Sequence, residues 1–383
     1  MNKVILIGGS HHNGLGLVRS FGVNGIRPYG IIVCPLGGDS YLTHSRYWEK
    51  TYCVASDEAA VDLLYKKFSG EKEKPVVIPW SDSTEYCIDS QLDKLKEYFI
   101  LPSISGKQGA IVDLMDKQKQ VDFAAAHNLQ MAKSWIVNLD EGLPYDIVYP
   151  CMMKPVTSAE GAKLDIRKCD IRKCDDEDSA INYLATLKQK GYYRILIQEY
   201  VNFDEELDFV GSVGKSDAYI LSRNIREWPE VGGTNSYFQV IVDDAACKVA
   251  KQILKTFHEI NYCGMFDVEL FRVKDHILVN EFNWRNTGNV FFCHGINVHY
   301  AVIWVKEMLG ADCQTMQHFC IDTSKYAMNE ATDLRHVVFG KLTLFKWLKD
   351  LWRTNSFALW FWRDPLPALY QYKHLVVELV RRC

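Results

Sequence analysis

The first hundred residues alternate short, uninterrupted apolar runs with stretches whose apolar residues recur at helical spacing. Val4–Ile7, Ile31–Cys34 and Val76–Pro79 are the runs, each bounded by Gly or Pro. A strand apolar at every position has to be covered on both faces, because side chains alternate across a sheet. Gly14–Val23 and Glu58–Phe68 read as helices, the second with Ala60, Leu63, Leu64 and Phe68 on one side. Strands and helices in this alternation predict a parallel sheet with helices on its faces. The turn Gly8-Gly9-Ser10-His11-His12-Asn13-Gly14-Leu15-Gly16 lacks the spacing of a dinucleotide fingerprint. Two readings stand for it: a tight turn that needs Gly, or a helix N-terminus open to an anion.

At 383 residues the chain exceeds one ordinary core, which points to two or three domains. Its 48% hydrophobic and 24% charged residues exclude a disordered or fibrous chain. A net charge of -4 argues against a dedicated nucleic-acid binder. The twelve Cys form no C-x-x-C pair, so buried free thiols are expected rather than zinc or disulfides. Met1-Asn2-Lys3 runs straight into a strand, unlike a signal peptide, and no segment approaches the roughly 20 apolar residues of a membrane span. A cytoplasmic protein is expected.

From Lys107 the pattern changes to an α+β unit. Gly109–Asn128 reads as one helical region, followed by a strand at Val148–Lys154, a helix at Ser179–Gln189 and a strand at Ile195–Val201. Leu207–Val213 and Tyr219–Arg223 read as further strands, and Asp243–Ile260 as a strongly amphipathic helix capped by Asp243. Met265–Val273 and His276–Asn283 form a hairpin joined at Lys274-Asp275. The tandem Asp165–Cys169 and Asp170–Cys174 is a local duplication in a surface segment. The expected division is 1–106, then 107–330 with lobes at about 107–194 and 195–330, then a tail, 331–383.

The hairpin carries the most informative chemistry. Glu281 and Asn283 are two apart on a strand and point to one face; Glu269 on the partner strand can lie opposite, with Asp267 on that same face. Converging carboxylate and amide oxygens suit a hard cation such as Mg²⁺, although alternating polar residues also mark a solvated hairpin face. Arg285 adds a bidentate donor for phosphate or carboxylate. Lys154 ends an apolar strand as a compact charge, and the small-residue loop Thr157–Lys163, with Ser158, can close over phosphates. Backbone at Gln198, Glu199, Tyr200 and Val201 can read an adenine edge, and Glu206 can accept from ribose hydroxyls. Singly, each of these is more often structural.

In this order the motifs resemble the ATP-grasp superfamily from about Lys107 to Met308. The matching pieces are Asp116-Lys117, Lys154 in Met-Lys-Pro, Gln198-Glu199-Tyr200-Val201, Glu206 and Glu281-Phe282-Asn283-Trp284-Arg285. The first domain resembles the pre-ATP-grasp domain of carboxylate–amine ligases, through its Gly-rich loop, Ser45-Arg46-Tyr47 and Ile78-Pro79-Trp80-Ser81-Asp82. The pattern is similar to D-aspartate ligase and short carbamoyl-phosphate-synthase-like proteins. The resemblance implies an α/β parallel-sheet domain followed by a two-lobed ATP-grasp fold that grips ATP. It implies phosphate contacts from Lys117 and Lys154, adenine contacts from Glu199 to Val201 and ribose at Glu206. Glu269, Glu281 and Asn283 would hold Mg²⁺, or Mn²⁺ in its place, with Arg285 and Arg226 as catalytic charges. An ADP-forming ligase is implied, joining a small-molecule carboxylate to an amine through an acylphosphate, with a cell-envelope or polysaccharide acceptor as one option. A carboxylase, a small-molecule kinase and a nucleotide binder without turnover are the alternatives. Two departures stand out: Trp284 where the family usually has Pro, and a phosphate loop poorer in Gly.

The last fifty residues differ in character. From Asp333 to Cys383 there are nine Lys or Arg against four acids, with Trp347, Trp352, Trp360 and Trp362 among them. A basic, Trp-rich amphipathic stretch reads either as an interfacial membrane helix at the inner face of the membrane or as an element packed on the body or on a second subunit of a homodimer.

Overall fold

The computed structural model describes residues 2–35, 40–155, 171–230 and 233–373. The opening alternation folds into a parallel sheet of β1 (Val4–Gly9), β2 (Tyr29–Val33), β3 (Lys50–Val54) and β4 (Val76–Pro79), in the order β3-β2-β1-β4. β1 and β4 are the buried strands that their continuous apolar runs require. β3 escaped the sequence reading because it is an edge strand, Lys50-Thr51-Tyr52-Cys53-Val54, with no apolar run. The glycines of the first turn serve close packing. A Cβ at Gly8 would lie 2.7 Å, and one at Gly14 2.9 Å, from the indole of Trp80, whose Nε1 donates to Gly9 O at 2.8 Å.

A short strand β5 (Ser103–Ile104) leads out of this domain. The small sheet contains β6 (Ser134–Asn138), β7 (Cys151–Pro155), β8 (Arg172–Cys174) and β9 (Arg194–Glu199), antiparallel in the order β6-β9-β7-β8. Helix Glu177–Gln189 covers one side through Ala180, Tyr183, Leu184 and Leu187.

The large sheet holds β10 (Glu205–Val213), β11 (Ala218–Trp228), β12 (Thr234–Val240), β13 (Tyr262–Val273), β14 (His276–Asn283), β15 (Tyr326–Met328) and β16 (Ser356–Phe357). Its order is β14-β13-β10-β11-β12-β15-β16, with β5 pairing β13. Helix Asp244–Glu259, capped by Asp243 accepting from Ala246 N at 2.8 Å, packs Ala250, Ile253 and Phe257 against one face. Val210, Ile220, Phe238 and Met265 on the other face share a core with helix Tyr300–Met308 and with Leu15, Leu17 and Phe21 of the first domain.

The predicted single helix over 109–128 is two. Ala110–Leu114 ends at Met115, and Asp116, in extended backbone, caps a new helix Lys117–Ala126 by accepting from Gln118 N and Lys119 N at 2.9 and 3.2 Å. That break sets Lys117 on the first residue of a helix. The first copy of the tandem lies outside the described residues, and the second enters β8.

Three histidines lie at helix His12–Val23: His299, which is buried, and the half-buried His12 and His294. His299 Nδ1 is 2.7 Å from Ser20 Oγ, and His294 lies close by, its ring 5.8 Å from that of His299. Burial pushes His299 down to about 4, and pushes His12 and His294 well below the usual range. The unfolded chain, titrating near pH 6.5, therefore binds protons before the native state does. The histidines' contribution to stability is complete above about pH 6.5 and is lost towards pH 4, His299 alone accounting for on the order of 3 kcal/mol. As pH is lowered across that window, the wild type's urea midpoint should lose ground relative to that of His299→Gln.

Candidate active site

The site is built on one face of three adjacent strands. In the antiparallel register Asp208 on β10 lies opposite Glu269 on β13, which lies opposite Glu281 on β14. The next row is Val210, Asp267 and Asn283, and Glu206 lies two residues before Asp208 on the same face. A β-bulge beside Glu269 inserts Asn280, whose Nδ2 donates to Glu269 Oε2 at 2.9 Å. The sequence reading had the hairpin face; it missed Asp208 and Asn280. Asp208 was within reach, since Glu206 and Asp208 are two apart on a strand, whereas the bulge had no sequence signal.

Cations reach this face from three separate elements. Lys117, at the start of its helix, pairs with Glu281. Lys154, near the end of β7, donates to Gln198 Oε1 at 2.7 Å. Arg285, just past β14, bonds Asp267 Oδ2 at 3.2 Å through Nη1 and Asp82 Oδ1 at 3.1 Å through Nε. Asp82 begins the helix after β4, so this Arg ties the first domain to the acidic face.

Unequal surroundings split the carboxylates. Burial, reinforced by Glu281, Glu206 and Asp267, pushes Glu269 up to about 8. Glu281 is equally buried, yet Lys117, Lys154 and Arg285 outweigh that burial and hold it below the usual range. Burial raises Asp208 and Glu206, which are hydrogen-bonded by Asn289 at 2.9 Å and Asn235 at 3.2 Å. Lys154 is lowered by burial and by Lys117. Such opposed shifts in adjacent groups mark a site where charge is meant to be exchanged with a ligand.

The donor set fits a Mg²⁺ ion that shares its coordination with phosphates. Glu269, Glu281 and Asn283 offer hard oxygens on one face, and the buried Asp267 Oδ1 has no hydrogen-bond partner. Among the described residues no three His, Cys, Asp or Glu converge into an all-protein cage. Two carboxylates plus substrate phosphates is the usual arrangement for this ion.

Other expected residues fall differently. Ser158 and the loop Thr157–Lys163 lie outside the described residues. The Glu199 and Tyr200 amides are already used, donating to Lys133 O at 2.8 Å and Pro150 O at 3.0 Å. Among the described residues that leaves the Val201 amide of the three without a backbone acceptor, and Gln198 faces Lys154 with its side chain rather than presenting only backbone. Arg226 is not brought to the acidic face. Past a bulge in β11, it is held by Asp333 at 2.9 and 3.0 Å and by Asp350 at 2.7 Å, and lies 4.4 Å over the Tyr237 ring. The period-2 reading could not see the bulge that redirects it.

Trp284 points away from the site. It is buried among Phe123, Phe257, Tyr262 and Phe282, ring centroids 5.0–5.9 Å away, and its Nε1 donates to Leu114 O at 3.1 Å. The unusual residue is a core residue, on the face opposite Asn283. Trp284→Ala should cost about 3–5 kcal/mol in urea unfolding, while Trp284→Phe retains most of that stability.

Comparison with known proteins agrees with this geometry. Residues 122–293 match the ATP-grasp domain. Formate-dependent phosphoribosylglycinamide formyltransferase of Pectobacterium carotovorum subsp. carotovorum (strain PC1) is 29% identical over 151 residues, 38% of this chain and 36% of that protein. The enzyme of that name from Yersinia pestis (strain Pestoides F) is 27% identical over 191 residues, 49% of this chain and 47% of that protein. The chain thus matches less than half the length of these relatives. Among solved structures, N5-carboxyaminoimidazole synthetase from Staphylococcus aureus complexed with ADP superposes with a TM-score of 0.66 at 16% identity, covering 89% of this chain and 86% of that one. The L-amino acid ligase from Bacillus licheniformis gives 0.61 at 12% identity, covering 80% and 74%. Residues 122–293, somewhat under half of the chain, are thus the part that matches the ATP-grasp domain, and the solved structures share the fold.

Proposed function

We propose that the protein is an ADP-forming carboxylate–amine ligase, in which a small-molecule carboxylate is activated as an acylphosphate and captured by an amine. The observation that carries this reading is the half-buried pair Glu269 and Glu281 faced by Lys117, Lys154 and Arg285. A polyphosphate placed there brings the negative charge that three clustered cations accept, and its cation satisfies the carboxylates. Mg²⁺ held by Glu269, Glu281 and Asn283 would neutralise phosphate oxygens during transfer.

Lys117 and Lys154 come from different elements and would grip the phosphates from two sides. Ribose hydroxyls would donate to Glu206, and the Val201 amide would meet the adenine edge. Arg285, held in place by Asp82 and Asp267, would orient the attacking carboxylate or stabilise charge on the transferred phosphoryl group. Arg226 has no part in this scheme. As the carboxylate oxygen bonds to the γ-phosphorus, the bond to the β–γ bridging oxygen breaks and ADP leaves. The amine then attacks the acyl carbon and phosphate departs.

A carboxylase using bicarbonate as the first acid is the second reading. It is favoured by the likeness to the Staphylococcus aureus synthetase, whose name refers to a carboxyamino product. The option of a binder without turnover rested on Trp284, which lies in the core and leaves the site's oxygens in place.

Purified protein with ATP, Mg²⁺ and a panel of amino acids should release ADP and give a product heavier by an amide condensation in mass spectrometry. Glu281→Gln should lower turnover at least about a hundredfold. No ADP release with any acid, or full activity in Glu281→Gln, overturns the assignment. A bicarbonate-dependent carboxylated product would select the second reading.

A further inference from the structure

The C-terminal segment is folded into the body, yet it keeps an apolar surface that the body does not cover. Helix Leu344–Arg353 has two apolar faces. Trp347 and Leu351 pack inward beside Tyr237, Tyr326 and Met328, next to the buried Asp350. Phe345, Leu348 and Trp352 recur at i, i+3 and i+7 on the outside, where Phe345 is 81% and Trp352 91% exposed. Leu344 extends that stripe, and Val338 and Phe339 at the end of the preceding helix Glu330–Val338 are exposed as well.

Charge is sorted between the same two sides. Every acid between residues 331 and 373 is buried and paired with an arginine of the body: Asp333 and Asp350 with Arg226, and Asp364 with Arg19 at 3.0 Å. Every Lys and Arg of that stretch is exposed, Lys346, Lys349 and Arg353 on the apolar helix itself. Among the described residues Lys341 is the one of these with a carboxylate partner in the body, Glu230 at 3.1 Å. What faces outward is a Trp- and Phe-bearing stripe with Lys346 and Lys349 beside it, while Arg353 turns to Tyr326 and donates to its hydroxyl at 2.8 Å.

We propose that this face docks on an anionic lipid surface, with Phe345, Leu348 and Trp352 entering the headgroup region and Lys346 and Lys349 meeting lipid phosphates. A water-soluble protein partner could cover the apolar stripe, but the one-sided positive charge matches the negative potential of a bilayer surface. Contact is with one leaflet only, since no helix among the described residues is long and apolar enough to cross a membrane. The apolar stripe of Phe345, Leu348 and Trp352 does not line the cavity that Glu206 shares with Lys341, Lys346 and Arg353, so vesicle binding by the stripe is read separately from the reaction.

The test is cosedimentation of the full chain with phosphatidylcholine vesicles, with and without phosphatidylglycerol. Binding should be at least about tenfold tighter to the anionic vesicles and should weaken as salt is raised. Phe345→Ser/Leu348→Ser/Trp352→Ser should lose it, and Lys346→Glu/Lys349→Glu should reduce it at least about tenfold. Both variants alter exposed positions, and a retained thermal shift with ATP and Mg²⁺ shows that they are folded. Absence of binding to anionic vesicles overturns the proposal, as does unchanged binding by the triple variant. A concentration-dependent dimer in sedimentation velocity that the triple variant abolishes also overturns it, because a second copy then covers the stripe.

Discussion

Placing Asp208, Glu269 and Glu281 side by side across three hydrogen-bonded strands is the arrangement on which the rest of this protein depends. Adjacent strands lie about 4.8 Å apart, so three like charges in one row repel strongly once water is excluded. The sheet tolerates the row because Lys117, Lys154 and Arg285 converge on it from a helix, the small sheet and a loop. The compensation is incomplete: burial and its acidic neighbours push Glu269 up to about 8, while the cations hold Glu281 below the usual carboxylate range. A partly compensated cluster is costly for stability. In the proposed reaction a cation arriving with phosphates would complete that compensation.

That electrostatic demand explains the connections between the parts of the molecule. Arg285 needs carboxylates to hold it, and one of them, Asp82, belongs to the first domain. Lys117 needs a helix that starts at the site, and Asp116 supplies the cap that breaks the preceding helix there. Behind the row, Trp284 and its aromatic neighbours form a rigid wall, so alternate residues of one strand serve the site and the core. The C-terminal segment obeys the same logic with opposite sign. Its acids turn inward to Arg226 and Arg19, which fixes it to the body and leaves its cations outside.

Much of this was legible in the residues. Unbroken apolar runs required doubly covered strands, the capped amphipathic helix at 244–259 declared itself, and alternation put Glu269, Glu281 and Asn283 on one face. Those features rest on local periodicity, which the chain carries wherever it folds. Edge strands such as β3 lacked a period, and β15 and β16 were too short to show one.

Tertiary structure alone decided which charges meet. The resemblance made Arg226 and Arg285 alike catalytic charges, yet a bulge sends Arg226 to Asp333 and Asp350 while Arg285 stays with Asp267. Likewise, the sequence by itself determined that the tail is basic and amphipathic, and only the fold placed all of its acids between residues 331 and 373 inside. The physical reason is common to both cases. Periodicity determines the face on which a side chain stands, but a buried charge must find its counterion, and that partner can lie hundreds of residues away.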